Sequence, residues 1–246
     1  MKKKSLTKKI SITAVFTALV CVATISFTVY VPSTKGYFNI GEAMVYTAAI
    51  LFGPVIGAFA GGVGSMLADI LLGYYYYAPA SLIIKGVEGF VTGLLSKKLQ
   101  VLAEKYTRSE LKLFTVEICA LVGVLVSLVG FLYYSGFVEL YSGVIPTEEL
   151  TSNFFIPAEF WFGVGALVIL VTVSLAFFSE PEYGLTVFSC ISGGLLMVFG
   201  YFLYERFLLG VFALAEVPIN IGQMTIGLII AIPLVKVVKC AVTTRS

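Results

Sequence analysis

The amino-acid sequence predicts an all-α polytopic membrane protein, and three observations support this fold class. Of its 246 residues, 59% are hydrophobic and only 12% are charged, whereas soluble domains carry about 25% charged residues. The mean hydropathy is +1.01. Several apolar runs approach the roughly 20 residues that a helix needs to cross a bilayer. We therefore expect a single membrane domain over residues 1–246.

The apolar runs predict about eight helical segments, which cover residues 10–31, 41–52, 54–72, 79–95, 113–134, 159–178, 185–204 and 217–238. The second segment is too short to span a bilayer unless it tilts or meets a re-entrant loop. Gly53-Pro54 predicts a tight turn after it. The first segment is too long for a signal-peptide core and no small-residue cleavage pattern closes it, which favours a retained helix.

The distribution of lysine and arginine predicts the orientation in the membrane. If the N-terminus is cytoplasmic and the segments alternate, the basic clusters in residues 2–9, 97–112 and 236–245 all face the cytoplasm. The long outer loop over residues 135–158 then carries three acidic residues and no basic residue. We expect a multi-pass protein of the plasma membrane with both termini in the cytoplasm.

The stretch from residue 36 to residue 93 combines apolar segments with polar side chains. These side chains include Asn39, Glu42, Asp69, Lys85 and Glu88. A charged side chain at mid-membrane depth costs about 2.5–3.5 kcal/mol on insertion scales, so several together predict an internal polar site. Glycine is frequent in the same stretch and allows helix backbones to approach closely. The pattern indicates a pocket for a small solute inside a helical bundle.

Two short segments echo each other at the starts of two predicted helices. Asn39-Ile40-Gly41-Glu42 opens the second segment, and Asn220-Ile221-Gly222-Gln223 opens the last one. Such an echo in corresponding parts of two halves indicates a transporter binding site. The same spacing is typical of a helix capping box, in which both side chains satisfy free backbone N–H groups. A capping asparagine keeps its NH2 group for a ligand, so the two interpretations are compatible.

Lys85 and Glu88 are three residues apart, so they share one helix face and can pair. An internal ion pair that only steadies the bundle is the alternative to a functional role. Desolvation offsets most of the attraction in such a pair, which favours the functional role. For Asp69 three partners are open: Lys85, Lys35 or the outer water.

Aromatic and small residues give two further hypotheses. Tyr74 to Tyr77 are typical of an interfacial aromatic belt. One or two of them, and Tyr37, could instead stack on a flat heterocycle. Ala14 and Ala18 lie one turn apart on the first helix, a spacing typical of close packing against another helix.

Several functional classes are excluded by what the sequence lacks. Histidine is absent and the four cysteines are far apart, so we expect no metal site of the usual spacing and no disulfide framework. No G-x-x-x-x-G-K-[ST], G-x-S-x-G or H-E-x-x-H motif occurs. No basic face is interleaved with aromatic residues, which excludes nucleic-acid binding. We expect a chain that is not an enzyme and holds no cofactor of its own.

Four runs of the sequence are distinctive: they cover residues 36–69, 77–98, 193–205 and 216–223, and include YAPASLIIKGVEGF and EVPINIGQ. Together they resemble the substrate-binding (S) component of energy-coupling factor (ECF) transporters. The similarity is greatest to the branch that includes riboflavin-, hydroxymethylpyrimidine- and pyridoxine-type proteins. It covers residues 8–98 and 185–240, which we interpret as the core.

The resemblance implies a six-helix core that binds a vitamin or a vitamin precursor on its outer side. It also implies three kinds of partner besides membrane lipid: the vitamin, a transmembrane coupling subunit and two ABC ATPases, which use the ATP. Ala14 and Ala18 would dock on the coupling subunit. The loop after the first helix would provide ligand contacts and a lid. The predicted substrate-binding residues are Lys35, Tyr37, Asn39, Glu42, Tyr77, Lys85, Glu88, Asn220 and Gln223.

Residues 99–184 depart from this pattern because they hold two apolar segments that a six-helix core does not need. We interpret them as an inserted transmembrane hairpin. Two other functional classes stay open. One is a self-sufficient secondary transporter coupled to an ion through Asp69, Lys85 and Glu88. The other is a membrane scaffold without a solute, whose signature would be a pocket lined only by lipid or packed side chains.

Overall fold

The computed structural model describes residues 2–31, 36–103, 105–133, 135–141, 150–178, 182–209, 213 and 216–243. Within these ranges the chain forms helices and two antiparallel strand pairs. In chain order the elements are α1 (Lys2–Ser26), β1 (Thr28–Val31), β2 (Gly36–Asn39), α2 (Glu42–Phe52), α3 (Pro54–Leu72), α4 (Ala78–Ala103), α5 (Arg108–Tyr133), β3 (Gly136–Tyr141), β4 (Leu150–Ile156), α6 (Ala158–Phe178), α7 (Glu182–Leu209) and α8 (Val217–Thr243). Each of the eight predicted apolar segments overlaps one of these helices.

Five helices in the described part of the chain are long and apolar enough to cross a membrane: α1, α3, α4, α7 and α8. Shorter apolar helices lie in α2, α5 and α6. As the sequence predicts, α2 is short, with 11 residues, or about 16 Å at 1.5 Å per residue. The prediction of an all-α polytopic membrane protein is confirmed.

The end of the first predicted segment is wrong, because α1 stops at Ser26 and not near residue 31. Thr28–Val31 forms β1 instead, and Thr28 pairs with Asn39 of β2. β-Branched and aromatic residues favour an extended backbone here. The β1–β2 hairpin brings Asn39 back beside the bundle; the end of the bundle that carries it is called the hairpin end below. The segment predicted as the outer loop also contains an unpredicted strand pair, β3 with β4.

Glycines bring α3 and α4 together along what we call the glycine seam, formed by Gly57, Gly61, Gly62, Gly86 and Gly89. A Cβ atom added to Gly57 would lie 2.7 Å from the Gly89 carbonyl oxygen. A Cβ atom added to Gly61 would lie 2.8 Å from the carbonyl oxygen of Lys85. Only glycine permits this backbone contact. The seam therefore fixes the position of Lys85 along the axis of α3.

The main apolar core lies between α2, α7 and α8, where Tyr46, Met197 and Ile232 are fully buried. A second cluster of Val20, Val45, Ala48 and Ala60 joins α1, α2 and α3. Together with the contacts of the glycine seam, these two clusters join six helices into one bundle: α1 to α4, α7 and α8.

Helices α5 and α6 pack on each other, with the Gly165 carbonyl oxygen 2.7 Å from a Cβ atom added to Gly123. Helix α5 also contacts α7, where the Phe114 and Phe188 ring centroids are 5.8 Å apart. This arrangement agrees with an inserted pair of helices beside a core. The boundaries of that division, 99–184 between 8–98 and 185–240, stay a prediction.

Candidate functional site

A polar cavity lies near the hairpin end, between α1, α3, α4, α7 and α8 and beneath β2. The cavity volume is only about 30 Å³, so its side chains lie close together. All of its lining residues fall in the predicted core, and none of the described residues of α5 or α6 contributes to it.

Lys85 is the centre of a buried ionic cluster at the cavity wall. Its Nζ contacts Oε1 of Glu42 and lies 3.4 Å from Oε2 of Glu88. All three side chains are at most 4% exposed. The prediction that Lys85 and Glu88 share a helix face and pair is confirmed. Glu42 reaches the same ammonium group from α2, so the cluster joins α2 to α4.

An amide network connects this cluster to β2 and α8. Oε1 of Gln223 accepts hydrogen bonds from the backbone N–H and the side-chain Nδ2 of Asn39, each at 2.9 Å. Nε2 of Gln223 donates to Glu42 Oε1 at 3.0 Å. Oδ1 of Asn39 accepts from the Gly41 backbone N–H at 2.9 Å. The two echoing segments of the sequence therefore meet in space.

The capping-box interpretation of these segments is wrong. The N-cap of α2 is Gly41, which has no side-chain capping bond, and the Glu42 carboxylate binds Lys85 and Gln223 instead. Helix α8 begins at Val217, before Asn220, whose backbone N–H already donates to the Glu216 carbonyl at 2.9 Å. The Glu42 and Gln223 side chains, which a capping box would use, bind tertiary partners instead.

Tyrosines and carboxylates form the opposite part of the cavity. The Tyr37 hydroxyl donates to Asp69 Oδ1 at 2.5 Å, and the Tyr77 hydroxyl donates to Glu205 Oε1 at 3.2 Å. Burial, reinforced by the Asp69 carboxylate, raises the pKa of Tyr37 well above its usual value. Tyr37 therefore keeps its proton and acts as a hydrogen-bond donor. Asp69 and Glu205 are both held by a phenol.

The structure corrects the expectation for Asp69. This carboxylate is only 3% exposed, so it does not face the outer water, and it binds Tyr37. Its expected partner Lys85 pairs with Glu42 and Glu88. Lys35, the other expected partner and a predicted substrate-binding residue, lies outside the described residues.

Six of the nine predicted substrate-binding residues line the cavity: Tyr37, Asn39, Tyr77, Lys85, Asn220 and Gln223. Glu42 and Glu88 lie behind the wall, and both contact Lys85 there. The Asn220 side chain forms no hydrogen bond with the described residues, in contrast to Asn39 and Gln223. Asn220 is thus a polar group that the fold leaves to the cavity.

The four tyrosines from Tyr74 to Tyr77 divide between the two roles predicted for them, an interfacial aromatic belt and contact with a ligand. Tyr75 and Tyr76 are exposed, as in an aromatic belt, whereas Tyr77 is buried in the cavity wall. Tyr74 packs on Tyr37, with ring centroids 4.6 Å apart.

Ala14 and Ala18, the predicted partner-binding residues, are exposed on α1, so their surface is open to another helix.

Sequence reasoning missed several cavity residues. These are Thr24, Gly36, Ser65, Ser81, Tyr201, Glu205 and Glu216, and Asp69 was not among the predicted substrate-binding residues. Ser81 and Tyr201 share a hydrogen bond of 2.7 Å. One signal was present: Glu205 is a carboxylate near the end of a largely apolar helix, one turn after Tyr201. An intramembrane carboxylate is a functional-site hypothesis in its own right.

Fold and cavity together define a helical membrane protein with an internal polar site for a small solute. Residues 4–173 match the family described as ECF-type riboflavin transporter, S component, and the chain belongs to this family. It is a family of transporter components and not of enzymes. The match runs through most of the predicted insertion, and it ends before α7.

Three relatives are similar to parts of the chain. An uncharacterized protein in the gap 3′ region of Pyrococcus woesei is 47% identical over 78 residues, 32% of this chain and 52% of the relative. The thiamine precursor transporter HmpT of Lactococcus lactis is 36% identical over 92 residues, 37% of this chain and 55% of the relative. A UPF0397 protein of Streptococcus agalactiae is 23% identical over 182 residues, 72% and 94% respectively. The chain thus spans about half the length of the first two relatives.

Proposed function

We propose that this chain is the substrate-binding subunit of an ECF-type ABC importer. It captures a vitamin or vitamin precursor, of the riboflavin, hydroxymethylpyrimidine or pyridoxine type, at the outer face of the plasma membrane. The observation that carries the proposal is the convergence of Asn39, Lys85, Asn220 and Gln223, from distant parts of the chain, on one cavity. Membership of the S-component family and similarity to a thiamine precursor transporter support it.

The cavity has the chemistry to hold a flat ring with polar edges. Tyr37, Tyr77 and Tyr201 present aromatic surfaces, and the amide of Asn220 offers both a donor and an acceptor. The network through Gln223 fixes the Asn39 side chain before a ligand arrives. Apolar contact area with a few oriented polar groups gives affinity together with specificity. Fixing those groups in advance lowers the entropy cost of binding.

Transport then depends on partners, because the chain has no ATP-binding loop of its own. We propose that a transmembrane coupling subunit binds the exposed surface of α1 at Ala14 and Ala18, and that two ABC ATPases drive release. Two small side chains one turn apart allow a second helix to approach closely. Both chain termini lie in the cytoplasm, and the loaded bundle moves as a whole within the membrane.

The decisive experiment is equilibrium binding to the purified full chain without partners. The panel contains riboflavin, hydroxymethylpyrimidine, thiamine, pyridoxine and pyridoxamine, and binding is followed by thermal shift and by calorimetry. We expect one compound to bind at a one-to-one ratio and to raise the unfolding temperature. A panel without any binding contradicts the proposal. Uptake into liposomes that requires the coupling subunit, the ATPases and ATP completes the test.

A self-sufficient ion-coupled transporter is a second candidate, favoured by the buried carboxylates Asp69 and Glu88. Buried ionisable residues in membrane helices are common in ion-coupled pumps and transporters. Uptake by this chain alone, with an ion gradient and no ATP, would establish this candidate and overturn the first. The scaffold interpretation required a pocket lined only by lipid or packed side chains, and the polar lining argues against it.

A further inference from the structure

Two carboxylates in the cavity wall each have one oxygen that accepts a hydrogen bond and one oxygen without a hydrogen-bond partner among the described residues. Asp69 Oδ1 and Glu205 Oε1 accept hydrogen bonds from Tyr37 and Tyr77. Asp69 Oδ2 and Glu205 Oε2 have no hydrogen-bond partner among the described residues. Both side chains are at least 97% buried, and both line the cavity. Buried polar atoms without a partner are rare in native proteins.

The charges around the cavity do not balance. Lys85 is the only basic residue among the described lining residues, whereas Asp69, Glu205 and Glu216 are acidic. The Lys85 ammonium group is already shared by Glu42 and Glu88 behind the wall. In the described part of the chain, no lysine or arginine forms an ion pair with Asp69 or Glu205.

A carboxylate buried without a counter-ion is strongly disfavoured, and it either takes up a proton or binds a cation. The two phenols hold one oxygen of each carboxylate, and the other oxygen has no hydrogen-bond partner among the described residues. Aromatic rings line the same cavity: the Tyr77 and Tyr201 ring centroids are 6.3 Å apart, and the Lys85 ammonium group lies 5.6 Å from the Tyr201 centroid. Tyrosine faces also attract cations within about 6 Å. Negative charge and aromatic surface therefore coincide at one place.

From this geometry we infer that the ligand carries a positive charge, as a cationic heterocycle or a ring with a protonated amine, and that Asp69 and Glu205 bind it. The inference rests on the proposed function and narrows its substrate class. Riboflavin and pyridoxine, which carry no such charge, fit the cavity less well than a charged ring of similar size.

Two pairs of ligands differ in charge, and the first pair is also matched in size. Pyridoxamine and pyridoxine share one ring and differ in an ammonium group against a hydroxyl group. Thiamine adds a permanently charged thiazolium ring to the pyrimidine that hydroxymethylpyrimidine represents. Calorimetry on the purified full chain is expected to show the charged member of at least one pair binding about tenfold more tightly or better, since a buried charge pair is worth at least this factor.

Asp69→Asn and Glu205→Gln keep the shape of each side chain and remove its charge. Each is expected to reduce affinity for the charged ligand about tenfold or more, with a much smaller effect on the neutral member of the pair. Glu159→Gln is the matched control, because Glu159 is an exposed carboxylate in the first turn of α6 and does not line the cavity. It should leave both affinities unchanged.

The outcomes distinguish this inference from the proposed function. Preference for the neutral members, or equal affinity within both pairs, overturns the cationic ligand and leaves the vitamin-binding subunit standing. Charge preference that survives both substitutions overturns the assignment to Asp69 and Glu205. Absence of binding by all compounds overturns both proposals. If one variant fails to fold, the other variant and the preference of the unsubstituted chain still decide.

Discussion

Oε1 of Gln223 accepts two hydrogen bonds from Asn39, one from the backbone N–H and one from the side chain, each at 2.9 Å. The two residues are 184 positions apart in the chain. Because Gln223 also donates to Glu42, which contacts Lys85, one line of polar contacts joins β2, α8, α2 and α4. The residues that hold the bundle together are thus also those beside the cavity.

Gln223→Leu should lower both stability and ligand affinity. The change leaves the Asn39 donors and a Glu42 oxygen without their buried partner, and each such group costs about 1–3 kcal/mol. Thermal unfolding of the purified chain in detergent measures the loss. Unfolding at the unchanged temperature would show that water replaces the glutamine and that the network is dispensable.

Asn220→Ala should weaken ligand binding and leave the fold nearly intact. Its side chain lines the cavity without a hydrogen bond to the described residues, so only the ligand loses a contact. One lost hydrogen bond is worth about 0.5–1.5 kcal/mol, or about twofold to tenfold in affinity. Thr225→Ala is the control on the same helix, because Thr225 bonds the Ile221 carbonyl and lies outside the cavity lining. Equal losses of stability and binding in Asn220→Ala would indicate a structural role.

Lys85→Met should be among the most destabilising single changes in the chain. It leaves Glu42 and Glu88 buried without their cation, and breaking a buried ion pair typically costs about 3–5 kcal/mol. The double variant Lys85→Met/Glu42→Gln should recover part of this loss, because it also removes one stranded charge. A double-mutant cycle from unfolding temperatures gives the coupling. Additive effects would contradict the pairing of Lys85 with Glu42.

Ala14→Leu/Ala18→Leu should abolish co-purification with the coupling subunit while ligand binding by the isolated chain is unchanged. Both alanines are exposed on α1, so larger side chains keep a second helix at a distance without disturbing the bundle. Ala166→Leu, at an exposed position of α6, is the control. Retained co-purification would indicate that these alanines belong to an ordinary lipid-facing surface.

Gly89→Ala should destabilise the bundle, since the added methyl group would meet the Gly57 backbone within the glycine seam. Gly222→Ala provides the comparison on another helix, because nothing lies within 4 Å of its added Cβ atom. The second change should be neutral or stabilise by up to about 1 kcal/mol through helix propensity. Similar unfolding temperatures for the two variants would mean that α3 and α4 separate without penalty.

The sequence predicted the helices well because bilayer-length apolar runs are a strong signal. It also predicted that the segments at Asn39 and Asn220 belong to one site, and most of the residues selected there line one cavity. It failed at α1, where the apolar character continues beyond Ser26 into a strand. Hydropathy does not distinguish a helix from an extended segment of the same composition.

Partners of buried polar groups were harder to predict than their presence. Local spacing suggested that Asn39 and Glu42 cap a helix, but both bind Gln223 in the folded chain. Asp69 and Tyr37 are likewise joined only by tertiary structure. Such pairings depend on which helices become neighbours, and this information is not contained in any short window of the sequence.

At Gly57, Gly61 and Gly62 of α3, the backbone of α4 comes so close that no side chain fits between the two helices. We therefore expect this pair to move as one rigid body during uptake. A solute would then reach the cavity on the other side, by displacement of the β1–β2 hairpin or by separation of α7 and α8. A disulfide or crosslink that ties the hairpin to α8 would then trap a bound solute, whereas one between α3 and α4 would not hinder its exchange.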